Sequence, residues 1–127
     1  NIRIIVGRAE DMPLPGSSFD AVIFIASLQF IEDYRKALER SAAVLRPEGK
    51  IIVMLLNPGS SFYKKRSMDP DSYINLIRHK DLKQIERAIA EHYAIQTEYM
   101  LGITGEKIFA ISDPGEAALY TVVGEKI

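Results

Sequence analysis

Two short runs decide the fold: DAVIFIA, Asp20–Ala26, and KIIVMLL, Lys50–Leu56. Neither alternates apolar with polar residues, the pattern expected of strands covered on both faces in a parallel sheet. Between them Asp33 is placed to cap a helix that carries Tyr34, Leu38, Ala42 and Leu45 on one side. Arg46-Pro47-Glu48-Gly49 then stops it. Strand, helix and strand occupy Asp20–Leu56, the length of one βαβ crossover.

Working outward, Ile2–Gly7 reads as a further strand, β-branched and closed by glycine. Met12–Ser18 is a loop by its Pro-Leu-Pro-Gly chemistry. Beyond Leu56, Asn57–Arg66 reads as a polar loop, and Asp69-Pro70 as the start of a short helix reaching about Arg78. Asp81, with Gln84 three residues on, opens a second helix whose stripe is Leu82, Ile85, Ile89 and Tyr93. Ala94–Ile103 and Ala118–Ile127 read as two more strands. The connection between them carries the turn signal Asp113-Pro114-Gly115, and Lys107–Ser112 fits strand or helix. The fold class is therefore α/β, a parallel sheet ending in an antiparallel strand pair. One domain is expected over 1–127: strands and a helix over 1–56, helices over 57–93, and terminal strands over 94–127.

Composition narrows the function. The 127 residues are 47% hydrophobic and 26% charged, with a formal net charge of −1. That interspersed charge gives no field to attract nucleic acid and no lysine-rich face for a membrane surface. The longest apolar stretches are too short to span a bilayer. With no cysteine in the chain, disulfides and thiolate metal sites are excluded, and a cytoplasmic setting is the expectation. His79 and His92 have no acid or cysteine at matching spacing, so no metal site is assigned. The chain opens on Asn1 and enters an apolar run at once, which reads as the back part of a longer protein.

In α/β sheets ligands sit at the carboxyl ends of the parallel strands. Here those ends are Gly7–Asp11, Ile25–Phe30 and Leu56–Ser61. Five pieces fall in register across them: Val6-Gly7-Arg8-Ala9-Glu10-Asp11-Met12-Pro13, Ser18-Phe19-Asp20-Ala21-Val22, Leu28-Gln29-Phe30-Ile31-Glu32-Asp33, Ala37-Leu38, and Val44-Leu45-Arg46-Pro47-Glu48-Gly49-Lys50. In order and spacing they resemble class I S-adenosylmethionine-dependent methyltransferases, in particular the ubiquinone/menaquinone-biosynthesis methylases and related small-molecule methylases.

The resemblance implies a Rossmann-like methyltransferase sheet entered at its third strand. The first two strands, bearing a glycine-rich cofactor loop and a ribose-binding acid, fall outside this sequence. It implies S-adenosyl-L-methionine as cofactor and a small molecule as methyl acceptor. On the adenine side it carries over to the backbone N–H of Ala9. Arg8 stands where relatives place an acid and cannot accept a hydrogen bond, and Glu10 is the candidate replacement. Phe24, Ile25 and Ala26 align with residues whose backbone approaches the methionyl part. Gln29 and Phe30 stand where relatives often carry histidine. Gln29, Asn57 and Tyr63 are the acceptor-side candidates, and no catalytic residue is assigned.

Plainer accounts stand beside these. Glu10 and Asp11 also fit the first turn of a helix, Gln29 a residue that bonds a loop, and Tyr63-Lys64-Lys65-Arg66 either a solvated loop or a contact to an anionic substrate. A non-catalytic binding module that kept the fold is the alternative, favoured by Arg8. A nucleotide-binding domain is disfavoured by the lack of a glycine fingerprint. In the family's strand order two strands separate the third from the fourth. Without them Ile2–Val6 is expected to pair with Ala21–Ala26, to join another copy in a homodimer through exposed edges, or to be displaced. The chain alone is expected to bind S-adenosylmethionine poorly.

Overall fold

The computed structural model describes residues 2–127. Its central element is the parallel pair expected above. β1 (Phe19–Ile25) and β2 (Leu45–Leu56) run side by side, with Val22, Ile23, Phe24 and Ile25 opposite Ile51, Ile52, Val53 and Met54. α1 (Tyr34–Val44) bridges them, and the Asp33 carboxylate accepts the Lys36 N–H at 3.1 Å. The helix ends at Val44, earlier than expected: Leu45 is already extended and opens β2, within which Glu48 takes a positive φ of 67° beside Gly49.

The tail adds β3 (Tyr93–Met100) and β6 (Leu119–Lys126), antiparallel to each other. β6 also runs antiparallel to β2, giving the order β1-β2-β6-β3. The stretch that fitted strand or helix is half of a small hairpin, β4 (Gly102–Thr104) with β5 (Lys107–Phe109).

α1 and α3 (Leu82–Ala90) cover one face of this sheet. Asp81 caps α3, accepting the Gln84 N–H at 3.1 Å, and Leu82, Ile85, Ile89 and Tyr93 are buried as the stripe requires. Against them lie Phe24, Ile51, Val53, Leu55, Tyr120 and Val122. Burying such side chains contributes about 1.5–3 kcal/mol each. The other face is different. Ile23 is 54% exposed, Ile25 66% and Val123 43%, while Ile52 and Met54 are half-buried. The runs lack alternation in sequence, yet the structure buries only every second residue. Both faces are apolar and one is bare.

Three expectations are corrected. Ile2–Gly7 is not a strand: it has no ladder partner, and Ile2, Ile4 and Val6 are almost fully exposed. Of the three outcomes foreseen, displacement is the one observed within this chain, because a strand exists only through pairing and β1 bonds β2 alone. The Gly7–Asp11 turn accordingly does not end a strand. Second, the region read as a loop contains α2 (Ser61–Ser67), started by Ser60, whose hydroxyl accepts the Tyr63 N–H at 3.1 Å. Third, no α-helix follows Asp69-Pro70. The Asp69 carboxylate accepts the Asp71 N–H two residues on, which closes a turn. Only a short 3-10 segment, Tyr73–Leu76, forms there, capped by Ser72.

Candidate cofactor and acceptor site

The carboxyl ends of β1 and β2 meet a compact network built on one buried amide. Gln29 is completely buried. Its Nε2 donates to the Leu56 carbonyl at 2.9 Å, and its Oε1 accepts the Leu56 N–H at 2.7 Å. Its own carbonyl accepts the Arg78 and His79 N–H groups. Gln29 therefore joins the segment after β1, the end of β2 and the entry to α3. With its amide spent on backbone it is not available to a ligand, which corrects its assignment to acceptor contact and excludes solvation.

Asn57 behaves similarly. Its Nδ2 donates to the Pro114 and Ala117 carbonyls at 2.7 and 2.9 Å, and its Oδ1 accepts the Gly59 N–H at 3.0 Å. It ties the end of β2 to the Asp113–Ala117 turn, so its role too is to hold backbone rather than to touch an acceptor. Tyr63, from α2, is buried with Leu56, Ile74 and Ile77, and Ala26, Phe30 and Phe62 pack against that group. Burial pushes its phenol up, away from any role as a base near neutral pH.

Around Ala26 the backbone is set for close approach. Its N–H donates to the Met54 carbonyl at 2.9 Å and its φ is +49°. A non-glycine residue in the left-handed region is uncommon and marks a sharp change of direction. Phe24 points into the core, whereas Ile25 is exposed.

At the Arg8–Asp11 turn, the Asp11 and Met12 N–H groups donate to the Arg8 carbonyl at 3.1 and 2.9 Å. The Ala9 N–H lies outside those bonds. Arg8 Nη2 donates to Glu10 Oε2 at 2.9 Å. The Glu10 carboxyl is held below its ordinary value by its own backbone N–H first, and then by Arg8. In turn Glu10 raises the Arg8 guanidinium. Glu10 is thus a carboxylate already engaged, and the expected first turn of a helix does not form.

These features define a class: a Rossmann-like α/β sheet whose parallel strands end in segments fixed by buried side-chain bonds. The comparisons carry this further. A family model described as a methyltransferase domain matches residues 1–53. The ubiquinone/menaquinone biosynthesis C-methyltransferase UbiE of Pasteurella multocida is 34% identical over 68 residues, 50% of this chain and 25% of that protein. The uncharacterised protein MJ1123 of Methanocaldococcus jannaschii is 25% identical over 133 residues, 99% of this chain. A SAM-dependent methyltransferase of Thermotoga maritima superposes with a TM-score of 0.83 at 19% identity, over 99% of this chain and 65% of that one. One from Archaeoglobus fulgidus gives 0.71 at 12% identity, over 96% of this chain and 66% of that one. The fold is thus that of these SAM-dependent methyltransferase structures, and the methyltransferase-domain match lies in the first 53 residues. The chain spans 65% of MJ1123 and a quarter of UbiE. No helix among the described residues is long and apolar enough to cross a membrane.

Proposed function

We propose that this chain is the adenine-side and acceptor-side part of a methyltransferase acting on a small molecule, completed by a segment that covers the open side of its sheet. The observation that carries this is the bare apolar face formed by Ile23, Ile25, Ile52, Met54 and Val123, next to the unpaired edge of β1. Exposed apolar surface of that kind marks a place where another segment or partner packs. A recess of about 690 Å³ between the N-terminal segment, the Met12–Pro15 loop and the start of β1 is lined by Arg3, Ile5, Gly7, Met12, Leu14 and Phe19. It leaves room for further chain between the displaced Ile2–Gly7 segment and β1.

The residues present fit one side of the cofactor. Ala9 offers a free backbone donor at the adenine end, and Phe24, Ile25 and Ala26 offer a close backbone approach at the methionyl end. None of the chain's glycines forms the Gly-x-Gly loop needed for the rest. S-adenosylmethionine, when bound, supplies a methyl group on a sulfonium that leaves without acid catalysis. The work left to this chain is alignment and exclusion of water. The Gln29 clasp and the Asn57 tie fix the strand ends, while Phe30, Phe62 and Tyr63 form an apolar wall beside them. Such a site needs no general base unless the acceptor must lose a proton.

Arg8, paired with Glu10 where relatives carry a free acid, favours a second reading, a binding module without catalysis. One titration separates the two. S-adenosylmethionine titrated calorimetrically into these 127 residues is expected to give no low-micromolar site. The longer protein containing the covering segment is expected to give one. Low-micromolar binding by the short chain overturns the shared-cradle reading, and none by the longer protein favours the binding module.

A further inference from the structure

A second recess, of about 400 Å³, opens between α2 and the β4–β5 hairpin. Its floor is apolar, from Phe62 and Ile103, and one wall presents Lys65 and Arg66. The Arg66 guanidinium lies 5.4 Å from the centre of the Phe62 ring, a cation–π contact that holds the charged plane in place. Neither Lys65 nor Arg66 is in an ion pair among the described residues. The one carboxylate of the lining, Asp69, is bonded to the Asp71 N–H. Two cations against one carboxylate leave the recess at +1.

Its position ties it to the site already described. Phe62 packs in the cluster that includes Ala26 and Phe30, at the carboxyl end of β1. Ser61 Oγ donates to Glu116 Oε1 at 2.9 Å, so α2 is anchored to the same turn that Asn57 holds. The α2 wall is therefore anchored by a bonded group, with Lys65 and Arg66 exposed on it.

We propose that this recess binds the anionic end of the methyl acceptor, a carboxylate or phosphate on an apolar body, with Lys65 and Arg66 taking the oxyanion and Phe62 and Ile103 the body. This rests on the methyltransferase reading and adds the acceptor's chemical class. An arginine presents paired donors to a planar oxyanion, and a charge-assisted bond of this kind is about twice as strong as a neutral one. No covalent step is involved.

The test is an NMR titration of the 127-residue chain with benzoate, phenyl phosphate and the neutral benzamide, without S-adenosylmethionine. Benzoate or phenyl phosphate is expected to shift the amides of Phe62, Lys65, Arg66, Ile103 and Thr104. Which anion binds more tightly tells carboxylate from phosphate. Benzamide is expected to bind about tenfold more weakly, as is the better anion to the Lys65→Gln/Arg66→Gln variant. Lys36→Gln, an exposed change on α1, is expected to leave binding unaltered. Equal affinity for benzamide, shifts confined to other residues, or no effect of the double variant overturns the proposal. Because the cofactor takes no part, such a failure removes the anionic acceptor and leaves the methyltransferase reading standing.

Discussion

Replacing Gln29 with leucine is expected to lower the stability of the fold by about 3 kcal/mol, because it strands two buried backbone groups. Leucine matches the side chain in bulk, so the cavity contribution is small. What disappears is the pair of bonds to the Leu56 N–H and carbonyl, at 2.7 and 2.9 Å. No other side chain reaches that strand end from the β1 side with a donor and an acceptor together. Urea unfolding followed by far-UV circular dichroism measures the change. A midpoint unaltered by the substitution would mean that the clasp contributes little, and would return Gln29 to the residues free to meet a ligand.

The second large effect is expected at Gly124, in the middle of β6. There Ile51 of β2 and Ile95 of β3 stand opposite it on its two sides. A Cβ at this position would lie 2.8 Å from Tyr93 Cβ, 3.1 Å from Ile95 Cγ2 and 3.2 Å from Ile51 Cγ2. The first contact is with an atom fixed to the backbone, so relief requires β3 to move. Overpacking of this sort costs about 1–3 kcal/mol for alanine. Valine adds two more methyl groups and is expected to abolish the cooperative transition, given a total stability on the order of 5–15 kcal/mol. A well-folded Gly124→Val protein would show that β3 and β6 are not packed as described.

How much of this was legible beforehand follows from where the information lies. Asp33 and Asp81 announce their helices because an N-cap is a local device: a short acceptor followed by a donor three residues on. Asp20–Ala26 and Lys50–Leu56 announce strands because their apolar runs are short and unbroken. Ile2–Val6 carries the same composition, yet a strand needs a neighbour, and composition does not supply one. α2 was hidden because seven residues hold too little periodicity to stand out. Asp69 was misleading because a carboxylate before proline serves a turn as readily as a helix.

The site was legible in outline only. Ala9, Phe24, Ile25 and Ala26 rest on the resemblance alone, through their backbone, and belong to the proposal. Gln29 and Asn57 could not be told from ligand contacts, because their partners are backbone groups 27 to 60 residues away. The basic residues of α2 gained meaning only once the hairpin that faces them was placed.

On the proposed reading β1 is an interior strand of a larger sheet, bare on one side in this chain. Ala26 donates its N–H toward β2, so strand alternation turns the N–H groups of Ile23 and Ile25 toward the open edge. Amide hydrogen exchange at these two positions, compared between the 127-residue chain and the longer protein, is the most direct measurement. Rapid exchange is expected in the chain alone and strong protection in the longer protein. Equal, rapid exchange in both would contradict that reading.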